Sequence, residues 1–226
     1  MNSNKVIGCE ALARLVKANG EIIPPGKFIP FIEESRDALV LDWYILDCAC
    51  KFLVELRNAK IRLVPISINF SKMHALETDF INKLLDTVDK YELDHELIKI
   101  EFTESDLEYY ASDAKFIVNQ LREHGFGLVV DNFGTGISSL NFLREFDFDV
   151  LKIDRSLISS RTISEKDKII VKMMIELGGE LGMQVVAEGV ETKEQADILS
   201  AAGCKNAQGF YYSRPVSNKL LVKYLQ

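Results

Sequence analysis

Short apolar runs that end in an acid or an amide, each followed by a segment of helical spacing, recur along nearly the whole chain, and this alternation limits the fold more than any other feature. Its sharpest instance is Val129-Val130-Asp131-Asn132-Phe133-Gly134-Thr135-Gly136-Ile137-Ser138-Ser139-Leu140. Phe126 to Val130 is apolar apart from one glycine, as expected of a strand buried on both faces, and the glycines beyond it permit a tight turn. Asp131 falls at the C-terminal edge of that strand. Taken alone, these residues also read as an Asx turn with Ser138 or Ser139 capping the next helix.

The rest of the chain repeats the theme. Lys5 to Leu15 reads as a first strand with a charged exit, in which Glu10 and Arg14 share a face of an extended segment. Pro24-Pro25 breaks the chain, Phe28 to Ile32 packs an apolar turn, and Leu39 to Arg57 carries helical spacing. Ile61 to Phe70 is a second strand closing on Asn69, followed by a helix from Lys72 to Tyr91. Ile98 to Ser105 is a third strand whose end crowds Glu101, Thr103 and Glu104. A helix from Ala111 to His124 leads into the strand before Asp131, and Val150 to Arg155 forms a fifth strand with Lys152 and Asp154 on one face. Ile169, Ile170, Met173, Met174, Leu177 and Leu181 mark an amphipathic helix closed by Gly182. Met183 to Glu191 is strand six, with Glu188 and Glu191 at its exit. A helix from Lys193 to Ala202, a seventh strand from Ala207 to Tyr212 and a helix from Leu220 to Leu225 complete the chain.

Strand and helix in alternation, with polar groups collected after the strands, is the pattern of an α/β chain of TIM-type (β/α) barrel architecture with its site on the C-terminal face. An open doubly wound sheet is the rival, but that fold draws its site mainly from loops near one switch point. The 226 residues are 47% hydrophobic, enough for one large domain over 1–226, and neither a linker nor an internal repeat divides them.

A net charge of −7 and a pI near 5.1 argue against binding DNA or RNA polymers or an anionic membrane surface. Glu10 interrupts what would be the apolar part of a signal peptide, and no apolar run approaches ~18 residues, so this segment is expected to be cytoplasmic and without membrane contact, even where a parent protein is membrane-anchored. Cys9, Cys48, Cys50 and Cys204 are scattered without zinc-ligand spacing and read as buried reduced thiols. His74, His95 and His124 fall in or near helices and read as surface or helix-end residues.

Glu10, Asn69, Glu101 and Asp131 are oxygen donors from four strand ends, and oxygen-only ligation selects Mg²⁺ or Mn²⁺ over zinc. Glu188, Asp154 and Asn132 suit a second ion. Two ions ~3.5–4 Å apart cleave a phosphodiester by supplying hydroxide and steadying the developing charge, and Lys152 fits beside them to orient water or neutralise a phosphate oxygen. Each carboxylate alone also reads as a solvated loop charge or a helix cap. Independent loop charges, however, need not all follow strands.

At these residues the chain resembles the EAL domain, the cyclic di-GMP phosphodiesterase module of bacterial signalling. The matches are Glu10-Ala11-Leu12 with Arg14, Phe28-Ile29-Pro30, Asn69-Phe70-Ser71, Glu101-Phe102-Thr103-Glu104-Ser105, Lys152-Ile153-Asp154-Arg155, Ala187-Glu188-Gly189-Val190-Glu191 and Gln208-Gly209-Phe210. The resemblance implies hydrolysis of cyclic di-GMP to linear pGpG, with Glu10, Asn69, Glu101 and Asp131 on one metal and Asp131 bridging to a second near Asn132 and Glu188. It further implies that Lys152 acts on the water and that Glu104 holds the loop after the fourth strand. Leu12, Arg14, Pro30, Asp154, Glu191 and Gln208 would line the nucleotide, with Arg14 on a phosphate and one of Tyr211 and Tyr212 at the rim. A homodimer and further domains of a parent signalling protein are the implied partners.

Two departures stand out. The family has Asp-Asp-Phe-Gly-Thr-Gly where this chain has Asp131-Asn132-Phe133-Gly134-Thr135-Gly136, so a second-metal ligand has lost its charge. The family also has a Tyr-Gln-Pro-Ile-like strand before the glutamate motif, which nothing before Lys5 supplies. The expectation is therefore a barrel lacking its first strand, as a fragment or completed by a partner segment, because an open edge exposes unpaired strand groups. Three functions compete: a metal-dependent phosphodiesterase, a non-catalytic cyclic di-GMP receptor favoured by Asn132, and a scaffold that binds neither metal nor nucleotide.

Overall fold

The computed structural model describes residues 5–33, 35, 37–103, 111–134, 139–158 and 163–226. In chain order these form β1 (Cys9–Glu10), β2 (Leu15–Val16), β3 (Ile22–Ile23), α1 (Ile29–Glu33), α2 (Asp37–Asn58), β4 (Ile66–Asn69), α3 (Phe80–Asp89), β5 (Ile98–Thr103) and α4 (Ala111–Glu123). There follow β6 (Gly127–Phe133), α5 (Ser139–Glu145), β7 (Val150–Ile153), α6 (Glu165–Glu180), β8 (Gln184–Ala187), α7 (Lys193–Ala201), β9 (Asn206–Ala207) and α8 (Asn218–Leu225). Two compact units result. The first takes in Val6–Glu101, α4 through Phe126, and α8, and the second is built on Gly127–Ser217.

In the first unit β4 lies between β1 and β5, parallel to both, with Glu10 opposite Ser67 and Asn69 opposite Glu101. Ile66 and Ile68 are buried while Ser67 and Asn69 face the other way, the period-two alternation of a strand with one dry face. Helix α2 buries Leu46, Ala49, Cys50, Leu53 and Leu56, a stripe at helical spacing, and carries Asp37 in its first turn and Arg57 in its last, where each suits the helix dipole.

In the second unit β6, β7, β8 and β9 ladder in that order, all parallel. Leu128, Val129, Val130, Leu151 and Ile153 are at most 1% exposed, which is why β6 and β7 read as continuous rather than alternating apolar runs.

Several elements differ from the sequence reading. Beyond the charged exit, Leu15 is not the end of the first strand but the start of an antiparallel hairpin of β2 and β3, which pairs Leu15 with Ile23 and Val16 with Ile22. The helix expected from Lys72 to Tyr91 is two pieces, a 3-10 turn over Lys72–Leu76 capped by Ser71 and then α3. The seventh strand stops after Ala207, so Tyr211 and Tyr212 lie in a turn, ring against ring edge-to-face.

Helix α6 buries Val171, Ile175 and Gly178, not the stripe read from Ile169, Ile170 and Met173, which are exposed. The cause is Gly178. A Cβ there would stand 2.4 Å from the Val185 Cγ2, so the helix approaches β8 along its glycine. Among the described residues no helix is long and apolar enough to cross a membrane.

Candidate active site

The second unit builds its charged cluster on a β-bulge. Val130 pairs with Leu151 and Phe133 with Ile153, so Asp131 and Asn132 together stand opposite Lys152. A two-against-one mismatch re-aims side chains at a strand end. Asn132 takes up the extra residue at φ 54°, in the left-handed region that asparagine tolerates better than most side chains.

Lys152 Nζ lies 3.1 Å from Asp131 Oδ1 and 2.8 Å from Glu188 Oε1, with side chains only 5%, 12% and 16% exposed. Glu188 follows Ala187, the partner of Ile153 in the β7–β8 ladder, and its N–H donates to the Ile153 carbonyl at 3.1 Å. Three neighbouring strands thus bring two carboxylates onto one ammonium. Removing these charges from water costs several kcal/mol each, which is offset only with geometry this close. Asn132 Nδ2 donates to Asp131 Oδ2 at 3.0 Å.

Around this cluster, Asp154 caps the 3-10 turn Arg155–Leu157 by accepting from the Ser156 N–H at 2.8 Å. Gln208 lies just past β9, its N–H donating to the Ala187 carbonyl and its carbonyl accepting from the Val190 N–H. The next residue must be glycine, because a Cβ at Gly209 would meet the Val190 carbonyl oxygen at 2.2 Å.

Gln195 was not anticipated. It is buried, its Oε1 accepts from the N–H groups of Glu191 and Thr192, and its Nε2 donates to the Ile158 carbonyl at 2.8 Å. It therefore fixes the Glu191 backbone. The signal was present in Thr192-Lys193-Glu194-Gln195, which forms a capping box at the start of α7.

The first unit gathers Glu10, Asn69 and Glu101 on three adjacent strand ends. Asn69 Nδ2 donates to Glu10 Oε1 at 3.3 Å, and Glu101 is 2% exposed. Of the other residues read as nucleotide-lining, Leu12 and Pro30 are exposed and Arg14 donates to its neighbour's carbonyl, Ala13. Glu104 lies outside the described residues.

Each unit therefore carries two carboxylates and an amide at strand ends, oxygen donors of the kind that hold Mg²⁺ or Mn²⁺. Among the described residues no three His, Cys, Asp or Glu side chains gather into one cage. The histidines stand elsewhere. His95 stacks on Phe126 and bonds Asp89 and the His124 carbonyl, while His74 is not a surface residue but 2% exposed. Cys50 and Cys204 are buried and Cys9 and Cys48 half-buried. Burial pushes the Cys9 thiol up to about 11, against the opposing pull of Arg62, and Cys50 up to about 12, which leaves both protonated and unreactive.

The EAL domain family model matches residues 1–215. The chain is 37% identical to the signaling protein YkoW of Bacillus subtilis, over 96% of this chain and 27% of that protein. It is 32% identical to the cyclic di-GMP phosphodiesterase PdeL of Escherichia coli, over 96% of this chain and 60% of that protein. Among solved structures, the EAL enzyme Bd1971 in its cAMP- and cyclic-di-GMP-bound form superposes with a TM-score of 0.91 at 32% identity, covering 98% of this chain and 61% of that one. The PaMucR phosphodiesterase in complex with c-di-GMP superposes with a TM-score of 0.89 at 32% identity, covering 95% and 87%. The TIM-type α/β fold read from the alternation of strands and helices is the fold of these structures.

Proposed function

The chain belongs to the EAL domain family, and from that membership together with the Lys152 cluster we propose that it binds cyclic di-GMP and hydrolyses one of its phosphodiester bonds to give linear pGpG. The observation that carries the reading is Lys152, buried and held between Asp131 and Glu188 at 3.1 and 2.8 Å. Among the described residues two carboxylates face one ammonium here, an excess of negative charge that favours a cation at the strand ends, while the fixed ammonium offers a donor to a phosphate oxygen or to the attacking water.

The oxygen donors for Mg²⁺ or Mn²⁺ are Glu10, Asn69 and Glu101 on the first unit and Asp131, Asn132 and Glu188 on the second. Such ions, when bound, lower the pKa of a coordinated water and neutralise phosphate charge. Arg14 pairs with a phosphate of the dinucleotide. Leu12, Pro30, Asp154, Glu191 and Gln208 shape its binding surface, and Glu104 belongs to the same proposal through its motif alone.

Hydrolysis is tested by incubating the purified chain with cyclic di-GMP and Mg²⁺ or Mn²⁺ and separating the products chromatographically. Linear pGpG is expected, and its absence with both metals overturns the enzymatic reading. A second reading, a receptor without turnover, is favoured by the Asn132 amide where a charged ligand would bind metal more tightly. It predicts calorimetric binding of cyclic di-GMP in chelator with no product in metal. The chain spans 27% of YkoW and 60% of PdeL, so a cytoplasmic setting, pairing into a homodimer and coupling to further domains belong to the same proposal.

A further inference from the structure

Asn132 contributes two things at once. Its backbone supplies the left-handed residue of the bulge opposite Lys152, and its side chain reaches back to the preceding residue, Nδ2 to Asp131 Oδ2 at 3.0 Å. Chemistry fixes the amide's orientation, because its oxygen in that place would face a carboxylate oxygen. The other oxygen of Asp131 lies 3.1 Å from Lys152 Nζ. Asp131 is thus held at Oδ2 by the amide of its own unit, while its buried Oδ1 lies in ion-pair range of the Lys152 ammonium but accepts no hydrogen bond among the described residues.

We propose that Asn132 is a positioning residue. Its amide holds Oδ2 of the Asp131 carboxylate and meets through an N–H a negative charge that a cation would otherwise have to meet, so that the second unit's cluster depends less on a divalent ion than it would with an acid at this position. For hydrolysis this inference rests on the reading above; for the cluster itself it does not. It makes Asn132 a hydrogen-bond donor first and a metal ligand second, and it predicts a specific response to an isosteric change of charge. N132D keeps the shape and tolerates the left-handed backbone, but it puts a second carboxylate in the amide's place, against Asp131 Oδ2. That arrangement demands a cation. N132G removes the amide and also accepts the backbone angle.

The test compares wild type, N132D and N132G by thermal melting in EDTA and in Mn²⁺, with bound Mn²⁺ counted from loss of the free-ion EPR signal. In EDTA, N132D is expected to melt several degrees below wild type, roughly the shift that losing one buried hydrogen bond gives in a chain of this size. Mn²⁺ should restore it, with the weakest Mn²⁺ bound about tenfold tighter than in wild type. N132G should melt below wild type in EDTA and gain no more from Mn²⁺ than wild type does. Equal melting of N132D and wild type in EDTA, or an equal Mn²⁺ response of the two, overturns the proposal. Should N132D fold only with Mn²⁺, the proposal stands; should it fold in neither, N132G decides, and melting equal to wild type overturns it. Failure of the hydrolysis reading would appear as absent linear pGpG with both metals and would leave the melts and the EPR counts unchanged.

Discussion

Lys152 in the second unit and His74 in the first are each flanked by two carboxylates at nearly the same burial, yet the two clusters are built for different ends. The side chains of Lys152, Asp131 and Glu188 are 5%, 12% and 16% exposed, and those of His74, Asp42 and Glu77 are 3%, 14% and 23%. His74 has both ring nitrogens committed, Nδ1 to Glu77 and Nε2 to Asp42 at 3.2 Å, and the rings of Trp43, Phe70 and Phe80 surround it at 5.0–5.2 Å. Asp42 also accepts the Ser71 N–H at 2.7 Å, so the cluster ties α2 to the turn that follows Asn69. Around Lys152 the acids come instead from a bulge and a strand exit, with the Asn132 amide against Asp131. Burial and pairing are common to both; what separates a clamp from a site is whether the remaining neighbours are rings or oxygen donors.

The largest expected effect is that of Lys152→Met. Removing the ammonium leaves two buried carboxylates facing each other, which should cost about 3 kcal/mol of stability and lower hydrolysis by roughly 10³-fold, within the usual range for losing a positioned proton-transfer or charge-stabilising group. Single-turnover hydrolysis and a denaturant melt measure the two. Turnover within tenfold of wild type would make Lys152 a clamp of the His74 kind and erase the contrast.

His74→Ala should show the opposite split. The loss of a buried ring and of its bonds to two acids should cost about 3 kcal/mol, with kcat of the folded fraction unchanged. Urea unfolding together with activity per folded molecule tests this. A fall in kcat without a fall in stability would show that the clamp reaches the chemistry.

The two clusters also differ in how far the sequence discloses them. Asp131 and Glu188 were legible because each ends an apolar run, and Lys152 because it is a lone charge inside one. The bulge that sets Asp131 and Asn132 against Lys152 was not, since two-against-one pairing belongs to the ladder and not to either strand. His74 was illegible for a similar reason: Asp42 lies 32 residues away and meets it only through the packing of α2. The buried face of α6 was misread because Gly178, which carries no side chain, decides which side approaches β8. The β2–β3 hairpin was legible in principle. Asn19-Gly20 between Leu15-Val16 and Ile22-Ile23 is a strong turn signal.

The smallest effect concerns the same pairing without burial. On the first unit Lys51 Nζ lies 2.6 Å from Asp47 Oδ2, with Lys51 60% and Asp47 28% exposed, and the Tyr91 hydroxyl donates to Asp47 Oδ1. The hydrogen bonds from Lys51 and then from Tyr91 hold the Asp47 carboxyl below its ordinary value of 3.8. A carboxyl lowered in the folded state stabilises the fold fully above its unfolded pKa, and the contribution is lost as pH falls through the folded one. Asp47→Asn should therefore lose at most about 0.5 kcal/mol at neutral pH, solvent screening allowed for. The gap between variant and wild type should close on acidification below the ordinary carboxylate range, as followed by urea melts from pH 7 to pH 2. A loss at neutral pH as large as that of His74→Ala would mean that pairing, not burial, governs these clusters. A gap that widened on acidification would show that the folded state raises the Asp47 pKa instead.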